Sequence, residues 1–350
     1  MKRPFLIALS LVLLGAGCLN GGSSRSGADG GVFKTLNAGQ EWGQAIVVPT
    51  AAGIGTLATT DVLNMEMDPQ DHNYLYIGTR SSGLLYSEDA GASWRVARSS
   101  ALSDGLIYKV EVDPTDVCTV YVAKGARLYA THDCMRSFDS EVYVDSRSGV
   151  SVVQVAVDWY DSRILWIGLS NGDVLRSVDK GRTWSTVLNA GEEISAFLIN
   201  NVDSRQTLVS TYTKGMYKTI DAGEHWQEID GGLKDLKQSG KVYQLIQSSD
   251  SGVVIAASQY GLARSIDFGS TWEGISLLTS PGQVPIRAVG MDVERPTTMY
   301  YAANSTFYKT TDGGTTWDTE RFPTSRVPRA MLVDPEDPQV LYIGVATATE

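Results

Sequence analysis

Six aspartates, at positions 89, 133, 179, 221, 267 and 312, recur in one setting. Each has a Ser or Thr two residues before it and a Trp or Phe five residues after it, and all but Asp133 have a Gly two residues after. Carboxylates spaced in this way could ligate calcium or hold a turn. The calcium reading fails on spacing, since no copy carries the further spaced carboxylates and closing Glu of an EF-hand loop. The turn reading gives every position a task. The Gly permits a positive φ, the carboxylate accepts hydrogen bonds from turn amides, the hydroxyls tie the turn to its flanks, and the Trp buries a ring behind it.

The other residues able to do chemistry are few. Three histidines, at 72, 132 and 225, stand in turn or repeat positions and are expected to be solvated loop residues. Neither a zinc site nor a Ser-His-Asp triad is expected from them, and no metal or cofactor is anticipated. There are three cysteines, at 18, 118 and 134. Cys118 and Cys134 fall at the same end of one hairpin and are expected to form a disulfide in an oxidising compartment.

The elements that carry these residues follow from the period. Full copies of the pattern run from Ser87 to Trp94, Ser177 to Trp184, Thr219 to Trp226, Ser265 to Trp272 and Thr310 to Trp317. Degenerate copies run from Thr35 to Trp42, with Asn37 in the Asp place, and from Thr131 to Phe138, with Met135 in the Gly place. Counting Asn37 with the six aspartates, the intervals are 52, 44, 46, 42, 46 and 45 residues. Such a period fits a four-stranded unit. In the second repeat, residues 62–67 alternate, 68–71 make a turn, 74–79 form a buried strand, 83–87 lead into the pattern and 93–97 leave it. Second-strand counterparts lie at 119–123, 164–169, 206–210, 253–257, 299–303 and 340–345. Helix is expected nowhere beyond a short turn at 232–239.

At this point the chain resembles the Asp-box proteins, also called bacterial neuraminidase repeats, on the strength of Lys309-Thr-Thr-Asp-Gly-Gly-Thr-Thr-Trp317 and its other copies. The resemblance covers everything after about residue 30. It implies an all-β fold, a single seven-bladed β-propeller, with Asp-box turns between third and fourth strands, remote from the ligand face. It assigns a structural role to Asp89, Asp133, Asp179, Asp221, Asp267 and Asp312, and with them to Trp94, Trp184, Trp226, Trp272 and Trp317. The last repeat stops without a box and the first begins with one. The N- and C-terminal strands are therefore expected to share one blade and close the ring, which leaves only short outer edges.

The N-terminus reads as an export signal over residues 1–17: Lys2 and Arg3, then an apolar run from 5 to 16 too short to span a bilayer. Leu14-Gly-Ala-Gly-Cys18 resembles a bacterial lipobox, with Leu one residue further from Cys18 than usual. Ordinary cleavage before Cys18 is the alternative. Residues 18–30, rich in Gly and Ser, read as a lipid-anchored flexible tether, leaving 31–350 as the propeller. The expected location is the cell envelope, bound to a membrane on its periplasmic or outer side. Charge excludes one partner class: 29 Lys and Arg face 40 Asp and Glu, a net charge of -11, and no basic block follows residue 3. Nucleic acid is therefore not expected.

For function, sialidases with Asp-boxes need an Arg cluster, an acid/base Asp and a Tyr nucleophile, announced by a Phe/Tyr-Arg-Ile-Pro motif that this chain lacks. Xyloglucan-hydrolase relatives set two catalytic Asp between tandem propellers, and one propeller is expected here. The chain looks most like the photosystem II stability and assembly factor family, which implies a non-catalytic binding or assembly scaffold. A monomer that binds an envelope protein or complex, or a glycan, is the resulting expectation, with a sialidase-like glycoside hydrolase or glycan-binding protein as the alternative. The binding face should be the one opposite the boxes. Loops between second and third strands offer Arg80, Lys124, Asn171, Lys214, Tyr260 and Asn304, and segments entering first strands offer Tyr108, Tyr243, Arg287 and Arg329. Five cations there, in an acidic chain, fit an anionic or polar partner.

Overall fold

Every strand of the computed structural model but two belongs to one of seven four-stranded antiparallel sheets. Residues 28–348 are described, apart from 139, 230, 237–239 and 250. The export signal, Cys18 and most of the tether lie outside them. Numbered by chain order, blade 1 starts with Val62–Met67, blade 2 with Lys109–Val112, blade 3 with Val152–Val157, blade 4 with Ile194–Ile199, blade 5 with Val242–Gln247, blade 6 with Ala288–Met291 and blade 7 with Val327–Val333. These first strands pack on one another around an axis, so the ring is a seven-bladed β-propeller. Second strands such as Leu75–Thr79, Leu165–Leu169 and Met299–Ala303 are buried at every residue, because each is covered on both faces by neighbouring blades. Helix is confined to one 3-10 turn at Leu233–Asp235 among the described residues, and none is long and apolar enough to cross a membrane.

Blade 7 joins the chain ends. Gly31–Thr35 pairs antiparallel with Leu341–Ala346, Gly31 opposite Val345 and Thr35 opposite Leu341. Gly43–Ala45 then completes the sheet on the outside. The long first interval holds an extra two-stranded ribbon, Val47–Thr50 with Gly53–Thr56, where a plain loop was expected.

The repeated turn is built from two successive residues in the left-handed region. The residue after the Asp (or Asn37) has φ between 51° and 75°, and the next has φ between 67° and 93° in all seven copies. Only the second is nearly always Gly, Met135 being the exception. A buried hydroxyl sits at the centre. Thr310 Oγ1 donates to Asp312 Oδ1 at 2.8 Å and accepts from the Gly314 amide at 3.0 Å, and five other copies repeat the pair, while Thr131 donates to Asp133 Oδ1. These hydroxyl residues are at most 2% exposed, whereas the acceptor carboxylates lie at the surface. Each turn also donates one amide to the loop between first and second strands, as Ala90 does to Asn73 at 3.0 Å and Lys180 to Arg163 at 2.9 Å. In blade 2 the residues at those two places are Cys134 and Cys118, and the expected disulfide joins them.

Two expectations need correction. Trp94 and Trp272 are buried, but Trp184, Trp226 and Trp317 are only half-buried. Some of the rings reach across to the neighbouring blade, and Trp184 and Trp272 also bond a carbonyl of their own turn, Gly181 O and Gly269 O. Trp94 Nε1 donates to Ala45 O, Trp184 Nε1 to Val142 O and Trp317 Nε1 to Ser276 O, each a carbonyl of the preceding blade's outer edge. The histidines are not all solvated. His72 Nδ1 lies 2.8 Å from Asp334 and is mostly buried, whereas His132, 3.0 Å from Thr119 Oγ1, and His225, bonded to Asp221, are exposed.

Candidate functional site

A propeller has two ends, and the strand directions assign the loops to them. Turns between third and fourth strands share one end, the turn face, with loops between first and second strands. The opposite end, the loop face, carries the loops between second and third strands and the links between blades. At the loop face the first strands begin, and five of the seven begin with a β-bulge. A bulge leaves one residue out of the ladder and re-aims its side chain. Tyr243 is that residue in blade 5 and Arg329 in blade 7. Arg287 stands just before the first strand of blade 6, between them in the ring.

These side chains converge. The Arg287 guanidinium lies 4.0 Å from the centre of the Tyr243 ring, a cation–π contact. Tyr243 donates its hydroxyl to Gln259 Oε1 at 2.6 Å, which holds the ring in place, and the Tyr212 ring lies 6.4 Å away. Burial, and then the like charges of Arg287 and Arg80, pull Arg329 below its ordinary value. Arginine keeps its proton regardless. The shift matters because it puts Arg287 and Arg80 within electrostatic reach of Arg329. Tyr212 and Tyr243 are both shifted upward, chiefly by burial, with Arg287 and Arg329 opposing. Glu193 adds to the rise at Tyr212 and is itself raised, by burial and then by Glu192.

Of the residues singled out from sequence, Arg80, Tyr243, Arg287 and Arg329 meet here. The others do not. Lys124 Nζ is folded onto Ala101 O, Asp104 O and Asp104 Oδ1 at 2.6, 2.7 and 3.1 Å, and Lys214 Nζ onto Gly191 O at 3.1 Å. Tyr260 lies back over its own blade, with its hydroxyl 2.5 Å from where a Cβ on Gly274 would stand. Tyr108 packs between blades 2 and 3. Sequence reading passed over Glu193, Tyr212 and Asp61. Asp61 accepts from Arg80 Nε at 2.9 Å and Arg326 Nη1 at 2.8 Å, so Arg80 reaches the cluster already neutralised in part. Residues 63, 108, 153, 195, 243, 287 and 329 each stand four before the residue that ends the first strand, a shared register that sets Tyr243, Arg287 and Arg329 at equivalent places in their blades.

Among the described residues, Asp221, Glu224 and His225 form a group whose ligand atoms lie within 4.8 Å of one another. It is exposed at the turn face, and His225 there replaces the hydroxyl residue of other copies in bonding the turn carboxylate.

Comparison with known proteins bears on the fold. Over 148 residues the chain is 24% identical to a probable oligoxyloglucan-reducing end-specific xyloglucanase of Neosartorya fischeri, covering 35% of this chain and 17% of that protein. Over 97 residues it is 32% identical to the corresponding enzyme of Emericella nidulans, covering 26% and 12%. The chain thus spans less than a fifth of the curated relatives it matches. Among solved structures, the GH74 xyloglucanase of Xanthomonas campestris superposes with a TM-score of 0.66 at 18% identity, over 90% of this chain and 52% of that one. The structure described as YCF48 bound to D1 peptide superposes with a TM-score of 0.62 at 15% identity, over 82% and 94%. The likeness is one of fold. No family model matches the chain.

Proposed function

We propose that this protein is a non-catalytic binding scaffold of the cell envelope, held near a membrane through Cys18, whose loop face takes an anionic segment of another protein. The observation that carries this reading is the convergence of Arg80, Arg287 and Arg329 on Tyr243 and Tyr212 at the axis, in a chain of net charge -11. Guanidinium groups recognise carboxylates through paired hydrogen bonds, and tyrosines supply contact area at small entropic cost. Of the carboxylates close to the cluster, Asp61 is engaged already with Arg80 and Arg326, and Glu193 acts on Tyr212. A ring fold of similar extent that holds a peptide supports the reading. The test is selection of displayed peptides on the purified domain. Sequences rich in Asp and Glu, or ending in a free carboxylate, are expected on the wild type and not on Arg287→Ala/Arg329→Ala. Selection of neutral sequences by both proteins would contradict it.

A second reading, a glycoside hydrolase or glycan-binding protein, is favoured by one observation. Glu193, raised above its ordinary value by burial and then by Glu192, lies close enough to Tyr212 to raise its phenol, on which Arg287 and Arg329 also act. Such groups could serve an acidic sugar. The stretches shared with xyloglucanases point the same way. Turnover of aryl glycosides, including a sialoside, that disappears in Glu193→Gln would establish it.

A further inference from the structure

At the turn face, the far end of the axis from the arginines, a cavity of about 150 Å³ opens among the loops between first and second strands of blades 7, 1, 2 and 3. Its size is that of a site able to admit a benzene-sized group. Glu66, Asp68, His72 and Glu111 line it together with Trp159, Val333 and three prolines. Lys109 Nζ lies 2.8 Å from Glu66 and 3.1 Å from Glu111. Asp68 has no exposed surface. Its Oδ1 accepts from the amides of Gln70 and Asp71 at 2.8 and 3.2 Å, and its Oδ2 has no hydrogen-bond partner among the described residues. His72 is bonded to Asp334 at 2.8 Å.

The charges do not balance. Three carboxylates, Glu66, Asp68 and Glu111, face one ammonium, Lys109, and the His72–Asp334 pair adds no excess cation. A buried carboxylate oxygen without a partner costs free energy that a cationic donor would recover. Trp159, another of the lining residues, is 47% exposed. Ammonium and guanidinium groups are drawn both to carboxylates and to indole faces.

We propose that this cavity is a second binding site, for a primary ammonium or guanidinium group on an apolar stem. The head is placed toward Asp68, Glu66 and Glu111, and the stem against Trp159 and Val333. The volume and the apolar wall select an organic cation over a bare metal ion, which would need six or more oxygen ligands around it. Burial pushes Glu111 up to about 7, with Lys109 opposing and Glu66 adding to the rise, so this carboxyl gains from further positive charge. The site stands apart from the loop face and does not depend on its role.

The chemistry could arrive as a free amine or as a Lys or Arg side chain of a protein, and the test separates the two. The full chain is titrated with n-butylammonium, with its neutral counterpart n-butanol, and with a short peptide containing one lysine, each followed by calorimetry and by Trp fluorescence. Saturable binding of both cations at least tenfold tighter than of n-butanol is expected. A much tighter peptide assigns the site to a protein side chain, and equal affinities assign it to free amines. Asp68→Asn and Trp159→Ala should each weaken n-butylammonium at least tenfold while melting as the wild type does. Because Asp68 is buried and its variant can fail to fold, Trp159→Ala carries the test alone in that event. Equal binding of n-butylammonium and n-butanol, or wild-type affinity in a folded Trp159→Ala, overturns the proposal.

Discussion

Thr347 donates its hydroxyl to the Asp61 carboxylate at 2.6 Å, and its amide donates to the same group at 2.8 Å, across 286 residues of chain. Asp61 thereby holds the end of the second strand of blade 7 against the entry to blade 1. Arg326, bonded to Asp61 and 3.5 Å from Asp29, ties in the other end of the chain. Replacing Asp61 with Ala leaves two arginines and Thr347 without their common acceptor. A loss of about 3 kcal/mol is expected, as for breaking a buried pair, read from urea unfolding. A loss well under 1 kcal/mol would mean that strand pairing alone closes the ring.

In each repeated turn the buried hydroxyl matters more than the aspartate that marks it in the sequence. Thr310→Val keeps the shape of the side chain but strands the amide of Gly314, so it should cost roughly 1 to 3 kcal/mol. Thr316→Val, at an exposed hydroxyl that only caps Asp312, should cost much less. Chemical denaturation of the two variants side by side checks the order.

The Cys118–Cys134 bond spans 16 residues in the one blade where Met135 takes the place of the turn glycine. Closing a loop of that length is worth about 3 kcal/mol against the unfolded chain. A Cys118→Ala/Cys134→Ala variant should lose roughly that much. A reductant should lower the melting point of the wild type and leave the variant unchanged.

Asp133, Asp179, Asp221 and Asp312 are held down from 3.8 to about 2. For three of them a side-chain hydrogen bond within the turn is the largest cause, from Ser137, Thr183 and Thr316, and for Asp221 it is the amide of His225. A carboxyl depressed in the fold contributes stability above its unfolded value, and that contribution disappears as pH falls through the folded value. Stability from these turns should be flat above pH 5 and be lost between about 3.8 and 2. Circular dichroism on acidification, compared between wild type and Asp312→Asn, should show a smaller loss over that window in the variant.

The ring was readable because its cues are local. A Gly with φ near 90°, a hydroxyl two residues before the carboxylate and an aromatic five after it are all set within eight residues of Asp312 or Asp179. The strand that closes blade 7 was readable too, since one end of the chain lacks the box that the other end supplies. The candidate site was legible only in part. Arg80, Tyr243, Arg287 and Arg329 were named with Lys124, Lys214, Tyr108 and Tyr260, and charge alone could not tell them apart. What separates them is the bulge that turns Tyr243 and Arg329 out of the ladder and the carbonyls that draw Lys124 and Lys214 back. A bulge has no composition of its own, and a lysine's acceptor lies in another loop. Tyr212 and Glu193 were missed for the same reason: their neighbours come from other blades.

The central claim is that partners are read by the arginines at the loop-face axis. The most direct measurement captures proteins crosslinked to the full-length chain in cells, wild type against Arg287→Ala/Arg329→Ala, with both confirmed to melt alike. The account predicts that the protein most enriched on the wild type is lost from the variant and that its contact region is acidic. Recovery of the same protein in equal yield from both would contradict it.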